Sequence, residues 1–232
     1  PSDLFEIDLE NKEMTERSNS VKRIEHQRNK ALNGCKEALE NDYIFYSDND
    51  EIPNFEKINF NEIKSKILVF EQKLFHYKFN LLNDRIFWYG TKGIKKKDIS
   101  TISNLRNIKS RKYHFYRFDT FFSKLKFINI QVIKNGGWHF TQLKSPKDLY
   151  LKFKNDENFI EFDSLNINVE KLKYMIDNKF IEYNHLADTN SKTKHGNRFN
   201  LKTVDIKTYM PKYLIENLSN YKEWFDFNFK NI

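Results

Sequence analysis

The chain has 232 residues, of which 39% are hydrophobic and 16% aromatic. This is enough apolar material for a sizeable core, and it excludes wholesale disorder. The length favours a single α/β domain spanning residues 1–232. Its single cysteine, Cys35, excludes an internal disulfide and a multi-cysteine zinc site. No apolar run approaches the roughly 20 residues that cross a bilayer, so we expect no transmembrane segment and a cytoplasmic location. The net charge of +8 is interleaved with 32 acidic residues, which favours a solvated basic surface and no nucleic-acid partner.

The first two predicted elements are a helix and a strand. Apolar residues recur at three- and four-residue spacing over 15–39, which predicts an amphipathic helix. Arg28 falls on that apolar stripe, so its charge must meet an anion or reach a cleft. The run Tyr43–Tyr46 is short, apolar and not alternating, as in a strand of a parallel sheet covered on both faces.

The remaining pattern alternates strands with helices. Strands are predicted at 67–82, 86–89, 127–133 and 138–140, and helices at 98–108, 145–154, 168–179 and 212–218. Ser145 and Asn168 are the predicted caps of two of these helices. Because no linker rich in Gly, Pro or Ser interrupts the chain, we predict one domain with residues 168–232 as a helical C-terminal extension.

Three carboxylates, those of Asp48, Asp50 and Glu51, follow the first predicted strand. So many acids within four residues repel one another unless a positive group lies among them. Carboxylate oxygens at the carboxyl end of a parallel strand suit Mg²⁺ or Mn²⁺ in a ligand-binding crevice. An EF-hand is excluded because Pro53 stands where that loop needs glycine, but a metal-dependent nuclease or phosphatase remains open on the acids alone.

Longer motifs surround the acids. Residues 27–34 read Gln-Arg-Asn-Lys-Ala-Leu-Asn-Gly, and residues 48–53 read Asp-Asn-Asp-Glu-Ile-Pro. Further on stand Trp88-Tyr89-Gly90-Thr91, Gly137-Trp138-His139-Phe140 and Pro211-Lys212-Tyr213-Leu214. Together these motifs, which span roughly 25–225, resemble glycosyltransferase family 17. That family includes the β-1,4-N-acetylglucosaminyltransferases that add a bisecting sugar to N-glycans.

The resemblance implies both a fold and an activity. The fold is the A-type glycosyltransferase fold, an α/β architecture with a mostly parallel, Rossmann-like sheet flanked by helices. The activity is metal-dependent transfer of N-acetylglucosamine from a UDP-sugar donor to a glycan acceptor hydroxyl, with inversion and with Mn²⁺ or Mg²⁺ as cofactor. The family pattern has a longer N-terminal half, so we expect the first strands of the sheet to be missing here. It also has a histidine in the helix end after the G-W-H motif, whereas this chain keeps only Phe153 and Glu157 of that motif.

The resemblance also implies roles for individual residues. The metal ligands are Asp48, Asp50 and His139; the donor-binding residues are Arg28, Asn29, Asp48, Trp88 and Trp138; the catalytic candidates are Glu51 and Glu157. Within the last pair, Glu157 is the candidate for the general base that an inverting transfer needs.

Two alternatives remain open from the residues alone. One is a metal-dependent phosphoester hydrolase or nuclease that uses the same acids. The other is a non-catalytic carbohydrate- or nucleic-acid-binding module that uses the basic, aromatic surface. Neither alternative requires the W-x-G-T and G-W-H motifs, which therefore favour the transferase.

Overall fold

The computed structural model describes residues 12–156, 162, 165–187 and 194–227, with side chains from residue 15 onward. Its first helix, α1, is Lys12–Ala31, and a 3₁₀ turn follows at Leu32–Cys35. The helix ends before the predicted position because Asn33 and Gly34 have low helix propensity. Its predicted apolar stripe is not buried, since Val21 is 47% exposed. No helix in these parts of the chain is long and apolar enough to cross a membrane.

The strands of the described residues form three sheets. Their bounds are Tyr43–Tyr46 for β1, Glu51–Pro53 for β2, Ile67–Phe70 for β3, Gln72–His76 for β4, Leu81–Trp88 for β5, Lys92–Lys95 for β6, Ile130–Ile133 for β7, Gly137–Thr141 for β8, Phe180–Tyr183 for β9, His195–Asn200 for β10 and Lys202–Thr203 for β11. One sheet has four strands in the order β1-β6-β3-β7, and another has five in the order β11-β5-β4-β8-β2. β9 and β10 pair with each other.

The expectation of a mostly parallel, Rossmann-like sheet is wrong. Among the described strand pairs only β3 with β7 and β4 with β8 are parallel, and the others are antiparallel. β1 is not a central strand covered by helices but the edge of its sheet, where only Ile44 is buried. The aromatic run suggested a strand covered by helices, but aromatic rings from other segments cover it instead: Phe45 packs edge-on against Phe55 and Phe70. The fold is mixed α/β with predominantly antiparallel sheets.

Four short connections pass between the four-stranded sheet and the five-stranded one, besides the longer segment 54–66 that joins β2 to β3. β3 leads into β4 across Glu71, and β7 leads beside it into β8 across residues 134–136. β1 leads to β2 through the acidic turn, and β5 leads to β6 through residues 89–91. The predicted strand 67–82 is therefore β3 and β4, which lie in different sheets, followed by the start of β5. The acids lie where the two sheets meet.

The helices agree better with the sequence. Besides α1 they are α2 (Ile102–Asn107), α3 (Pro146–Lys154), α4 (Val169–Asp177), α5 (Ile206–Tyr209) and α6 (Lys212–Glu216). The predicted caps are confirmed, because the side chains of Ser145 and Asn168 accept hydrogen bonds from the first turns of α3 and α4. The stretch 168–232, expected to be helical, also contains β9, β10 and β11, the last of which pairs with β5.

The two faces of the five-stranded sheet have different surroundings, because successive strand residues point to opposite sides. One face is a core cluster that joins the sheet to the C-terminal helices; its buried members are Phe75, Leu82, Phe140, Val204, Met210, Leu214 and Phe225. On the other face, His139 of β8 lies in register with Glu51 of β2 and with Leu74 of β4. His76, two residues after Leu74, shares this second face, which carries the polar residues described next.

Candidate active site

Asp48 lies in the turn between β1 and β2 and is held by positive groups rather than left exposed. Its Oδ2 accepts hydrogen bonds from Nε and Nη2 of Arg106 at 3.1 and 3.0 Å. Its Oδ1 accepts one from the Tyr46 hydroxyl at 2.8 Å and lies 3.5 Å from Nη2 of Arg28. The predicted need of Arg28 for an anion is thus met by this carboxylate. Two guanidinium groups neutralise the first acid of the cluster.

Glu51 is the buried member of the cluster. Its side chain is 0% exposed, Oε1 accepts a 2.7 Å hydrogen bond from the Trp88 indole, and Oε2 accepts a 3.1 Å bond from the Asp48 amide. Burial raises the pKa of the Glu51 carboxyl, and the Trp88 hydrogen bond and the charge of Arg106 only partly offset it. Gly90 makes room for the carboxylate: a Cβ at that position would lie 1.9 Å from Oε1. This geometry supports a positioning role for Glu51, because a fully buried carboxylate does not contact a substrate.

Asp50 is the third acid, and it contacts His139. Its Oδ2 lies 3.2 Å from Nε2 of that ring, so the contact implied by the resemblance is present. Burial alone would raise the pKa of Asp50, but the hydrogen bond and charge of His139, with a smaller effect of Lys152, outweigh it and lower the pKa. The histidine also packs on Trp88, with ring centroids 4.7 Å apart.

Whether these residues suit a divalent cation can be judged from their free atoms. Among the described residues, no three His, Cys, Asp or Glu side chains are arranged to hold a metal ion by themselves. Asp48 and Glu51 are committed to the contacts above, which leaves Asp50 with His139 as the pair able to hold a cation. Mg²⁺ and Mn²⁺ often bind through one or two protein ligands and take the rest from substrate phosphates and water. An imidazole ligand favours the transition metal, Mn²⁺, over Mg²⁺.

Three other predicted site residues lie elsewhere or outside the described residues. Trp138 points to the opposite face from His139, where it packs on the C-terminal cluster and donates to the Tyr209 carbonyl. Asn29 accepts a 3.0 Å hydrogen bond from the Ser103 amide and so anchors α2 rather than facing the acids. Glu157, the predicted general base, is not among the described residues.

Sequence reasoning missed two residues of the site. Arg106, which binds Asp48 and lies 3.6 Å from Glu51, belongs to no motif, and only its position on a short predicted helix distinguished it from other surface arginines. The role of Gly90 was visible in principle, because a glycine just past a strand end, two residues after Trp88, signals close approach of another group. The group is the Glu51 carboxylate.

A comparison of this chain with known protein families, with curated proteins and with solved structures finds no match.

Next to the acids, the same sheet face continues into a group of histidines. His76 is 1% exposed, and neither of its ring nitrogens has a hydrogen-bond partner of normal geometry among the described residues. Its ring centroid lies 5.4 Å from that of His185. Burial, with smaller effects of the charges of His185 and His139, lowers the pKa of His76 to about 3 against the opposing effect of a contact with Gln142. His76 is therefore neutral in the folded protein.

Replacing Gly90 by alanine is expected to displace the Glu51 carboxylate, because the added methyl group would overlap Oε1. Overpacking of this kind costs roughly 1–3 kcal/mol of unfolding free energy. The Trp88 indole N–H resonance should shift as its acceptor moves, which NMR measures together with the thermal midpoint. Gly34→Ala is the matched control, since a Cβ there meets nothing within 4 Å. An unchanged indole resonance in Gly90→Ala would contradict the proposed packing.

The buried histidine also predicts a pH dependence. The pKa of His76 is lowered on folding, so its neutral form stabilises the protein above pH 6.5 and that stability is lost as the pH falls towards 3. Below pH 6.5 the loss should approach about 1.4 kcal/mol per pH unit for this group. Denaturant unfolding between pH 7 and 5 measures it, and His76→Phe should flatten the slope whereas substitution of the exposed His114 should not. An equal slope in His76→Phe would show that His76 is not buried neutral.

Proposed function

We propose that this protein is a metal-dependent glycosyltransferase that transfers a hexosamine, N-acetylglucosamine above all, from a UDP-sugar to a glycan hydroxyl. The observation that carries the proposal is the convergence of Asp50 and His139, 3.2 Å apart, with two arginines and Trp88 at the junction of the two sheets. All of these residues except Arg106 belong to motifs on which the family resemblance rests, and they come from four of those motifs.

The charges of this cluster suit a cation bound to a diphosphate. Asp48, Asp50 and Glu51 carry three negative charges, and Arg28 and Arg106 carry two positive ones. Guanidinium groups bind phosphate oxygens through paired N–H donors, so both arginines can exchange Asp48 for a diphosphate. The remaining Asp50–His139 pair can hold the cation that the same diphosphate binds.

Trp88 provides an apolar wall beside these charges. Its indole N–H is fixed on Glu51, its ring packs on His139, and Arg106 lies over it at 5.8 Å from the ring centroid. A held aromatic face of this kind can stack on a sugar or base ring. Its orientation depends on Glu51, which explains a glutamate in the motif without requiring that it touch the substrate.

In the proposed reaction the acceptor hydroxyl oxygen forms a bond to the anomeric carbon of the donor. The bond from that carbon to the diphosphate oxygen breaks, and UDP leaves with the electron pair while the hydroxyl proton passes to a base or to solvent. The cation, when bound, neutralises the negative charge that grows on the leaving diphosphate. Arg28 and Arg106 provide positive charge at the same end of the donor.

Asp50→Asn should abolish donor cleavage, because the amide keeps the size of the side chain but removes the charge that holds the cation. We expect UDP release from UDP-N-acetylglucosamine with Mn²⁺ to fall by at least about 100-fold, the scale of losing a principal electrostatic contact. Wild-type protein in excess chelator should behave in the same way. Asp84→Asn, at an exposed position of β5, is the control and should retain full activity.

The identity of the product separates this proposal from its rival. Glycosyl transfer or donor hydrolysis yields UDP and a free or transferred sugar, whereas a phosphoester hydrolase yields UMP and a sugar phosphate. Chromatography of the nucleotide products distinguishes the two. UMP as the product, or full activity of Asp50→Asn, would overturn the proposed function.

A further inference from the structure

A cavity of about 460 Å³ adjoins the acidic cluster and shares Trp88 with it. Its floor is the polar face of the five-stranded sheet, represented by His76 and Gln142. α3 and α4 contribute Phe153 and Leu172, and β9 with the segment after it contributes further residues, among them His185. This volume falls within the usual range for pockets that hold small organic ligands. Apart from Trp88, the proposed donor site uses none of the residues that line the cavity.

The strongest sign of a ligand is the unsatisfied hydrogen-bonding capacity of the cavity wall. His76 lines the cavity, is 1% exposed, and has no normal hydrogen bond to either ring nitrogen within the described residues. Nε2 of His185 is likewise buried without such a partner. Buried polar groups are nearly always paired, and leaving one unpaired costs free energy. An incoming donor or acceptor group would remove that cost.

The backbone of the same wall is strained. Tyr77 and Gln142, which lie side by side at the ends of β4 and β8, have φ values of +65° and +60°. The left-handed region is unfavourable for residues other than glycine, asparagine and aspartate, and such residues cluster at ligand sites. Both residues line the cavity.

The electrostatics of the cavity favour an uncharged ligand. Among the described residues that line it the charges balance, with Lys152 and Lys194 opposed by Asp156 and Glu182. Of the three histidines that line it, His76 and His185 are held neutral, because burial is the main cause that lowers their pKa values to about 3 and about 4. Neutral imidazoles donate and accept single hydrogen bonds, which suits hydroxyl groups, and the faces of Trp88 and the neighbouring tyrosines suit the C–H side of a sugar ring.

We propose that this cavity binds an uncharged sugar of the acceptor glycan, with its hydroxyls on His76 and His185 and its ring beside Trp88. That this sugar belongs to an acceptor rests on the proposed transferase function, but the binding of an uncharged saccharide can be measured without any reaction. The sugar would lie next to the Asp50–His139 pair, because Trp88 borders both.

The test is direct binding of saccharides in the absence of donor and metal. Chitobiose, mannobiose and cellobiose serve as uncharged probes and glucuronate as the charged comparison, with NMR shifts of the histidine and Trp88 ring signals as the readout. We expect at least one disaccharide to bind and glucuronate not to bind. His76→Phe keeps a ring of similar size but removes both nitrogens, and should weaken the bound disaccharide at least tenfold. His185→Phe, at a less buried position, should do the same if His76→Phe fails to fold, and His114→Phe is the control.

The outcomes separate this inference from the proposed function. If the protein binds a disaccharide, both histidine variants lose that binding, and UDP-sugars are not cleaved, the cavity site is supported and the transferase function is overturned. UDP-sugar cleavage without binding of any of the three disaccharides would overturn the cavity site alone. Binding of Zn²⁺ or Ni²⁺ that His76→Phe abolishes, with no saccharide binding, would also overturn it and show that the histidines hold a metal instead.

Discussion

The arrangement of the site depends on one buried charge, the carboxylate of Glu51. It lies where the chain passes between the two sheets, and it ties together the acidic turn, the end of β5 and α2 through the Asp48 amide, the Trp88 indole and Arg106. A buried carboxylate is tolerated only when its oxygens are satisfied and a positive group is near. Gly90 is part of the same constraint, because any side chain there would occupy the space of the carboxylate.

Strand geometry then determines the positions of the other side chains of the site relative to Glu51. Glu51 and His139 are register partners on β2 and β8, so they lie on the same face of the sheet. Because successive strand residues point to opposite faces, Trp138 lies on the other face, in the C-terminal core cluster. Asp50, one residue before the strand, then meets the His139 ring. The same face continues past His139 to His76, which is why the proposed donor site and the proposed acceptor cavity are neighbours with Trp88 between them.

The sequence predicted local features well and long-range ones poorly. The caps at Ser145 and Asn168 were predictable because a cap depends on bonds within one turn. The contact between Asp50 and His139 was accessible only through the family resemblance, since nearly ninety positions separate them. Antiparallel pairing was not predictable from the apolar run at 43–46, because strand direction depends on partners far away in the chain. Arg106 was missed for the same reason: its partner is brought to it by the fold.

The proposed function requires that a divalent cation and a nucleoside diphosphate bind together beside Asp50. The three tryptophans provide three indole N–H signals, and that of Trp88 lies nearest the acids through its bond to Glu51. The direct measurement is paramagnetic broadening of these signals by Mn²⁺ and UDP, with Mg²⁺ and UDP as the diamagnetic reference. We expect the Trp88 signal to broaden before that of Trp224, the broadening to require UDP, and Asp50→Asn to abolish it. Equal broadening of all three signals, or broadening that Asp50→Asn leaves unchanged, would show that the cation and the diphosphate do not bind beside Asp50.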